Sequence, residues 1–269
     1  MIKAYQHYFF DLDGVIYRGN ERLPGAREFI DWIEATGRDY VYLSNNSMST
    51  PAEIAARLQA LDMPAPLERV VTAGSATAAY LGHTYPGARA FVLGLPSLAQ
   101  MVADAGLHVL PEAEGTQAEV VLVGLDRSLT YARLSVAVQA VLNGAAFVTV
   151  NRDPLLPAEG RMEPGTGSIA AAVEASTGVS PYFLGKPAPG IILEALRMIG
   201  AAPADTVMIG DGLALDIPAG HNAGLDTVLV LSGITSRAQL ANAAIQPDAV
   251  YEDLAHLLAD TAQATPERQ

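Results

Sequence analysis

Asp11-Leu12-Asp13-Gly14-Val15 is the stretch of sequence that decides the fold, and it follows the mostly apolar, aromatic run Ala4–Phe10. Such a run predicts a buried strand, and two carboxylates one residue apart stand where that strand ends. Past the end of a strand the backbone can turn and bring both side chains to one site. Because α/β sheets bind ligands at the carboxyl ends of their strands, the stretch predicts a site there. Taken alone, it also fits an Asp-Gly turn.

Three later segments have the same plan, in which an apolar strand ends in polar or charged residues. They are Val41–Leu43 before Ser44-Asn45-Asn46, Tyr182–Leu184 before Gly185-Lys186-Pro187, and Thr206–Ile209 before Gly210-Asp211-Gly212, with Asp216 following. Together with Asp11 and Asp13 they supply carboxylates, a hydroxyl, amides and a lysine, a set suited to holding Mg²⁺ and a phosphate. Each segment on its own equally fits a turn or a helix cap.

Strand-like and helix-like segments alternate along the chain, which predicts parallel sheets with right-handed crossovers. Strands are predicted at 6–10, 39–43, 90–94, 119–124, 146–150, 206–209 and 227–231, and helices at 25–36, 51–61, 96–105, 130–143, 167–177, 188–199 and 236–244. The polar strand ends lie before residue 50 and after residue 180. We therefore predict a doubly wound core domain over residues 1–85 and 181–269, with an inserted α/β domain over residues 86–180.

The four motifs, in this order, resemble those of the haloacid dehalogenase (HAD) superfamily of phosphohydrolases. Further residues are similar to its NagD-like or nitrophenylphosphatase branch, namely Asp11–Tyr17 with Gly19 and Pro24-Gly25-Ala26, Leu43–Ser47, Asn151-Arg152-Asp153, Pro164–Ser168, Gly185-Lys186-Pro187 and Asn222–Thr227. The likeness extends over nearly the whole chain, to about Leu258. It implies a HAD-type Rossmannoid core with an inserted cap of the C2 type.

The resemblance also implies an activity, the Mg²⁺-dependent hydrolysis of small phosphomonoesters through an aspartyl-phosphate. Asp11 is the implied nucleophile and Asp13 the general acid and base. Lys186 is implied to neutralise charge on Asp11 and on the phosphoryl group. The implied metal ligands are Asp11, the backbone carbonyl of Asp13 and Asp211, with Asp216 acting through a water or orienting the site.

The expected substrate contacts lie in two places. Ser44 is placed to donate a hydrogen bond to a phosphoryl oxygen, with Asn45 and Asn46 beside it. Asn151 and Asp153 lie on a polar loop of the predicted cap, where a contact with the rest of the substrate is expected. A turn-forming loop without substrate contact explains the same two residues equally well. The substrate class stays broad, covering nucleotide, sugar and other phosphometabolites.

The fourth motif departs from the family pattern at two positions. Gly212 stands where many members have a polar or basic residue, and Leu215 where many have a threonine. Both neighbouring aspartates are present, so metal binding is expected to persist. The departures nevertheless support an alternative, a phosphate-binding or regulatory protein of the same fold with weakened catalysis. Phosphoryl transfer to a second substrate is a third reading.

Composition limits the partners and the location. A net charge of −13 argues against general nucleic-acid binding, and the absence of an apolar run of about 18 residues argues against a membrane span. Half of the residues are hydrophobic, which suffices for a packed core. Cysteine is absent and the first residues lack the apolar stretch of a secretory signal, so we expect a cytoplasmic protein. The expected partner is a small phosphorylated metabolite, and a homodimer is compatible with the family.

Overall fold

The computed structural model describes residues 3–158 and 160–263, and these residues form two compact units. The first unit takes the described residues of Met1–Ser44, Pro51–Val71 and Lys186–Gln269, and the second takes those of Asn45–Thr50 and Thr72–Gly185. The helix over residues 73–84 thus groups with the second unit, whereas the predicted boundary at residues 85 and 86 assigns it to the core. The division into a core domain and an inserted cap stays a prediction.

Strands and helices alternate through both units, which confirms the predicted α/β class. Numbered in chain order, the strands in the described residues are β1 His7–Asp11, β2 Tyr17–Arg18, β3 Glu21–Arg22, β4 Asp39–Ser44, β5 Val70–Thr72, β6 Arg89–Leu93, β7 His108–Val109, β8 Val120–Val123, β9 Ala146–Thr149, β10 Leu155–Ala158, β11 Arg161–Pro164, β12 Tyr182–Phe183, β13 Thr206–Gly210, β14 Asp226–Val230 and β15 Ala249–Tyr251. The helices are α1 Ala26–Ala35, α2 Pro51–Ala60, α3 Ala73–Thr84, α4 Pro96–Asp104, α5 Tyr131–Leu142, α6 Thr166–Thr177, α7 Gly190–Ile199, α8 Asp216–Asn222, α9 Arg237–Leu240 and α10 Leu254–Gln263.

The first unit is built on a six-stranded sheet in the order β15-β14-β13-β1-β4-β5. Strand β1 pairs in parallel with β13 on one side and with β4 on the other, in a register that sets Phe10 opposite Ile209 and Asp11 opposite Leu43. Parallel strands present their carboxyl ends at the same edge of a sheet. The residues that end or follow β1, β4 and β13 therefore share one edge.

The centre of this sheet is buried because β1 is apolar on both of its faces. Tyr8, Phe9 and Phe10 are each at most 2% exposed. On one face, Tyr8 and Phe10 meet Phe29 of α1 edge to face, with ring centroids 5.5 and 5.7 Å apart. Edge-to-face aromatic pairs stabilise a core beyond the area that they bury. A near-continuous apolar run of this kind is typical of a strand covered on both sides.

The second unit has its own parallel sheet, in the order β12-β9-β8-β6-β7, and a separate antiparallel pair formed by β10 and β11. Its core includes Phe91, Val121, Phe147 and Ile169, all at most 7% exposed. Helices α5 and α6 pack beside each other in this unit. Within the described ranges of both units, no helix has the length and apolar character needed to cross a lipid bilayer.

Candidate active site

A tight loop follows β1 and carries Asp13. The carbonyl oxygen of Leu12 accepts hydrogen bonds from the backbone N–H groups of Ile16 at 2.9 Å and Tyr17 at 3.2 Å. Gly14 adopts a φ of 84°, a left-handed conformation that favours glycine, and its N–H donates to the carbonyl of Tyr17 at 2.8 Å. Asp11 ends the strand itself, while Asp13 lies on the exposed side of this loop. One strand end therefore presents two carboxylates in different surroundings.

Asp211 and Asp216 come from the neighbouring strand end. Asp211 directly follows β13, and Asp216 is the first residue of α8. The Oδ2 atom of Asp216 accepts a hydrogen bond from the N–H of Gly212 at 2.9 Å, which folds the carboxylate back over the end of the strand. A Cβ atom on Gly210 would overlap the Asp216 side chain, so only glycine permits this close approach.

Lys186 joins these carboxylates. Its ammonium, 2% exposed, forms ion pairs with Asp11 and with Asp216, the latter with 2.6 Å between Nζ and Oδ1. The sequence predicted the pairing with Asp11 but not the one with Asp216. Burial opposes the charge on this ammonium, but the two carboxylates outweigh burial and raise the pKa of Lys186 above its ordinary value. Lys186 therefore stays a cation in the site.

Asp211 is held by a segment that sequence reasoning did not single out, the turn after β14. The backbone N–H of Ile234 donates to its Oδ2 atom at 2.7 Å. The hydroxyl of Thr235 donates to the Asp211 carbonyl and accepts from the N–H of Leu213 at 3.4 Å. Nearby, the hydroxyl of Ser232 donates to the carbonyl of Gly14 at 2.7 Å. This turn thus ties the loop after β1 to the loop after β13.

Three carboxylates, of which Asp211 and Asp216 are buried and Asp11 is partly buried, gather where a cation would be held. Carboxylate oxygens of Asp11, Asp211 and Asp216 lie within 4.8 Å of one another. Burial raises the pKa of Asp11 to about 7 and that of Asp211 to about 6, and the charge of Asp216 acts in the same direction on both. When all three carboxylates are ionised, they and the Lys186 ammonium carry a net charge of two negatives. Hard oxygen donors with that net charge fit Mg²⁺.

The carboxylate of Asp13 lies outside this buried group. Desolvation raises the pKa of Asp13, while the positive charges of Arg57 and Lys186 act against the increase. The sequence assigned Asp13 a metal contact through its backbone carbonyl alone. A proton-transfer role for its side chain and a ligand role for its carbonyl are compatible with this position, and both stay predictions.

The polar residues at the end of β4 and just after it differ in their surroundings. Ser44 is the last residue of the strand and is 7% exposed. The Oδ1 atom of Asn46 accepts hydrogen bonds from the N–H groups of Met48 and Ser49 at 2.7 and 2.9 Å. This is the turn-capping behaviour of asparagine, so the Asn46 side chain stabilises its own loop. Its predicted contact with substrate stays a prediction.

The structure brings Asn151 and Asp153 onto Asn45, all three in the second unit. The amide of Asn151, which is 3% exposed, donates to the backbone carbonyl of Asn45 at 3.0 Å. The Asn45 amide donates to Asp153 at 3.3 Å. A Cβ atom on Gly185 would lie 2.5 Å from Asn45 Oδ1, so this loop packs tightly against the residue that precedes Lys186. These contacts favour a loop-fixing role, and the predicted substrate contacts of Asn151 and Asp153 stay a prediction.

Comparison with known proteins identifies similar chains over the full length. Residues 8–108 match the family of haloacid dehalogenase-like hydrolases, and residues 183–257 match a HAD-hydrolase-like family. An acid sugar phosphatase from Staphylococcus aureus is 36% identical over 259 residues, which cover 96% of this chain and 99% of the relative. A p-nitrophenyl phosphatase structure from Archaeoglobus fulgidus is 30% identical, with a TM-score of 0.87 over 96% of this chain and 99% of that one. NagD from E. coli K-12 is 32% identical, with a TM-score of 0.86 over 94% and 98% of the two chains.

Proposed function

The chain belongs to the haloacid dehalogenase-like hydrolases and is a phosphomonoester hydrolase, and we propose that Asp11 is its nucleophile and Asp13 its general acid. The observation that carries the proposal is the close grouping of Asp11, Asp211 and Asp216, two of which are ion-paired with the buried Lys186. A carboxylate paired with a lysine, beside two more carboxylates, suits an attack on phosphorus with a cation alongside.

The proposed reaction has two steps. An oxygen of Asp11 bonds to phosphorus while the bond from phosphorus to the leaving oxygen breaks, and Asp13 gives its proton to that oxygen. The deprotonated Asp13 then takes a proton from water, whose oxygen bonds to phosphorus as the Asp11–phosphorus bond breaks. Inorganic phosphate leaves, and both side chains return to their first states.

Lys186 and Ser44 act on the phosphoryl oxygens in this proposal. The buried ammonium stabilises negative charge that shifts between Asp11 and the phosphoryl group, and burial strengthens that interaction. The Ser44 hydroxyl donates a hydrogen bond to a phosphoryl oxygen from the end of β4. Ser44 ends a strand and Lys186 is held by two ion pairs before substrate arrives, so little reorganisation is needed.

We propose that Mg²⁺ is held by Asp11, the Asp13 carbonyl and Asp211, with Asp216 orienting the site. When bound, the cation supplies positive charge that neutralises the phosphoryl group and holds it in line with Asp11. Asp216 is suited to the orienting role because Lys186 and the Gly212 N–H already bind its two oxygens. Mg²⁺ commonly takes few protein ligands and keeps waters.

The two departures from the family pattern are compatible with this activity. Gly212 contributes its backbone N–H to Asp216, a group that nearly every residue type provides. Leu215 precedes α8 without a side-chain cap, so the helix start loses one hydrogen bond while both aspartates keep their partners. The weakened-catalysis alternative therefore has no support from the contacts of the site.

For the substrate, we propose small phosphomonoesters, with sugar phosphates first. The S. aureus relative is named an acid sugar phosphatase and the A. fulgidus relative a p-nitrophenyl phosphatase. A cytoplasmic location and a homodimer stay predictions.

The proposal is tested by turnover of 4-nitrophenyl phosphate and of a panel of sugar, nucleotide and polyol phosphates. We expect release of phosphate that stops after exhaustive chelation and returns with Mg²⁺. Full activity in the chelated protein would contradict the metal assignment. A panel in which nucleotides are hydrolysed and sugar phosphates are not would contradict the substrate class while leaving the chemistry intact.

A further inference from the structure

Arg57 of α2 has two contacts with the antiparallel pair formed by β2 and β3. Its guanidinium donates a hydrogen bond to the carbonyl of Gly19 at 2.8 Å. The same group lies over the Tyr17 ring, 4.2 Å from the ring centroid. Gly19 has a φ of 59° and lies in the turn between the two strands. Arg57 thus contacts both the tip and the base of this pair.

Tyr17 is in turn bonded to the residues on either side of Asp13. Its N–H donates to the carbonyl of Leu12 at 3.2 Å, and its carbonyl accepts from the N–H of Gly14 at 2.8 Å. Asp13 and Tyr17 themselves form an isolated β-bridge. Because Tyr17 is only 1% exposed, a displacement of its ring is transmitted to this loop rather than lost to solvent.

We propose that Arg57 is a positioning residue that sets the placement of the Asp13 carboxyl group through Tyr17, an inference that rests on the proposed role of Asp13. A planar cation over the ring holds Tyr17 from outside, and the bond to Gly19 fixes the turn. All the residues involved belong to the first unit.

Arg22 pairs with Tyr17 across the two strands through its backbone, and its side chain provides a matched control because the guanidinium joins the same strand pair to the residues that follow α2. Its guanidinium donates to the carbonyls of Leu61 and Asp62, each at 3.1 Å, and to the Asp62 carboxylate at 3.0 Å. Loss of Arg22 therefore removes a comparable surface contact. It leaves the ring stacking and the Gly19 bond in place.

The experiment compares wild type, Arg57→Met, Arg57→Lys, Arg22→Met and Asp13→Asn on aryl and alkyl phosphates of graded leaving-group pKa, with Mg²⁺ present. General acid catalysis matters most when the leaving oxygen is a poor leaving group. For Arg57→Met we expect kcat/KM, which reports the first, proton-donating step, to fall about tenfold or more on alkyl phosphates and by less than about threefold on 4-nitrophenyl phosphate. Arg57→Lys should recover part of the loss. Arg22→Met should show the same dependence of rate on leaving-group pKa as wild type.

Three results would overturn the inference. An equal loss of kcat/KM on every substrate would make Arg57 a structural contact if KM stays constant, and a substrate contact if KM rises on all of them. If the rate of Arg22→Met depends more steeply than that of wild type on the pKa of the leaving group, the effect belongs to the strand pair as a whole. Thermal melting of each variant identifies misfolding. If Arg57→Met is misfolded, the leaving-group dependence of Arg57→Lys decides between the outcomes. If Asp13→Asn itself keeps the wild-type dependence, the proposed role of Asp13 fails, and this result is distinct from a failure of Arg57 alone.

Discussion

Asp216→Asn tests how the buried carboxylates hold their cation. In the wild type, three carboxylates and one ammonium leave two negative charges, which match a divalent cation. The substitution removes one negative charge, and an amide of the same shape can still accept the hydrogen bond from the Gly212 N–H. Lys186 keeps Asp11 as its partner, so no buried charge is left alone.

The expected effect is a weaker affinity for Mg²⁺. Loss of a group that orients metal ligands typically costs about 10–100-fold in metal affinity or activity. A ten- to hundredfold weaker Kd corresponds to about 1.4–2.7 kcal/mol, and the stabilisation that saturating Mg²⁺ gives to the folded protein should fall by up to that amount. The stability of the metal-free protein should change less, because the lost ion pair is offset by reduced repulsion among the carboxylates.

The assay is a titration of Mg²⁺ followed by 4-nitrophenyl phosphate turnover and, separately, by the thermal midpoint of the protein without substrate. Asp248→Asn is the control, because Asp248 also accepts hydrogen bonds from a backbone N–H and a hydroxyl, those of Thr227, but lies outside the carboxylate group. We expect the control to titrate as wild type. Identical Mg²⁺ titrations for Asp216→Asn and wild type would refute the assignment of Asp216 to the metal site.

Three further substitutions test neighbouring contacts. Gly210→Ala places a methyl group onto the Asp216 side chain. We expect a lower thermal midpoint, a free energy of unfolding reduced by about 1–3 kcal/mol, and a higher Mg²⁺ concentration for half-maximal activity. Wild-type behaviour in these measurements would show that Asp216 can move aside. Thr235→Val removes the hydroxyl that binds the Asp211 carbonyl. We expect half-maximal activity to need a higher Mg²⁺ concentration, and the free energy of unfolding in chemical denaturation to fall by about 1–3 kcal/mol. An unchanged Mg²⁺ titration would show that this turn does not help to hold the metal ligand. Asn151→Ala removes the bond to the Asn45 carbonyl, and we expect kcat to fall by a similar factor across the phosphate panel; a changed substrate ranking would instead make Asn151 a specificity residue.

Two carboxylates of the site, Asp11 and Asp211, could be predicted from the sequence because each stands at the end of a strand of the six-stranded sheet. Apolar runs such as Phe9-Phe10 and Val207–Ile209 fix the strands, and the parallel arrangement brings their ends together. The positions of Asp11 and Asp211 follow from this rule, whereas Lys186 follows β12, a strand of the other sheet, and was assigned to the site through the family resemblance. The Lys186–Asp216 pair does not follow from the rule, since it depends on how tightly α8 folds back over Gly210.

Residues whose partners are set by tertiary packing could not be predicted from the sequence. Thr235 reaches Asp211 only because the turn after β14 returns across the sheet edge, and no local pattern encodes that return. Arg57 reaches Tyr17 through the rotation of α2 about its own axis, which depends on tertiary packing. Short hydroxyl and surface arginine side chains look the same in a sequence whether or not they have such partners.

Helices α3, α8 and α10 were not among the predicted helices, and α3 and the shorter α9 show how patterning accounts for such differences. Helix α3, over Ala73–Thr84, was not predicted, because its small residues give little contrast between an apolar and a polar face. Its start is instead fixed by a reciprocal capping box between Thr72 and Ser75. The helix predicted at 236–244 is shorter, ending at Leu240, although it too starts with a capping box.

The central claim is that Asp11 accepts the phosphoryl group, and direct detection of that group tests it. Asp13→Asn with 4-nitrophenyl phosphate should accumulate the intermediate, because the good leaving group needs no proton while the water step lacks its base. After a rapid acid quench, peptide mass spectrometry is expected to find a phosphoryl group on Asp11 in this variant, and none when Asp11→Asn is added. A phosphoryl group on another residue, or undiminished turnover by Asp11→Asn alone, would contradict the account.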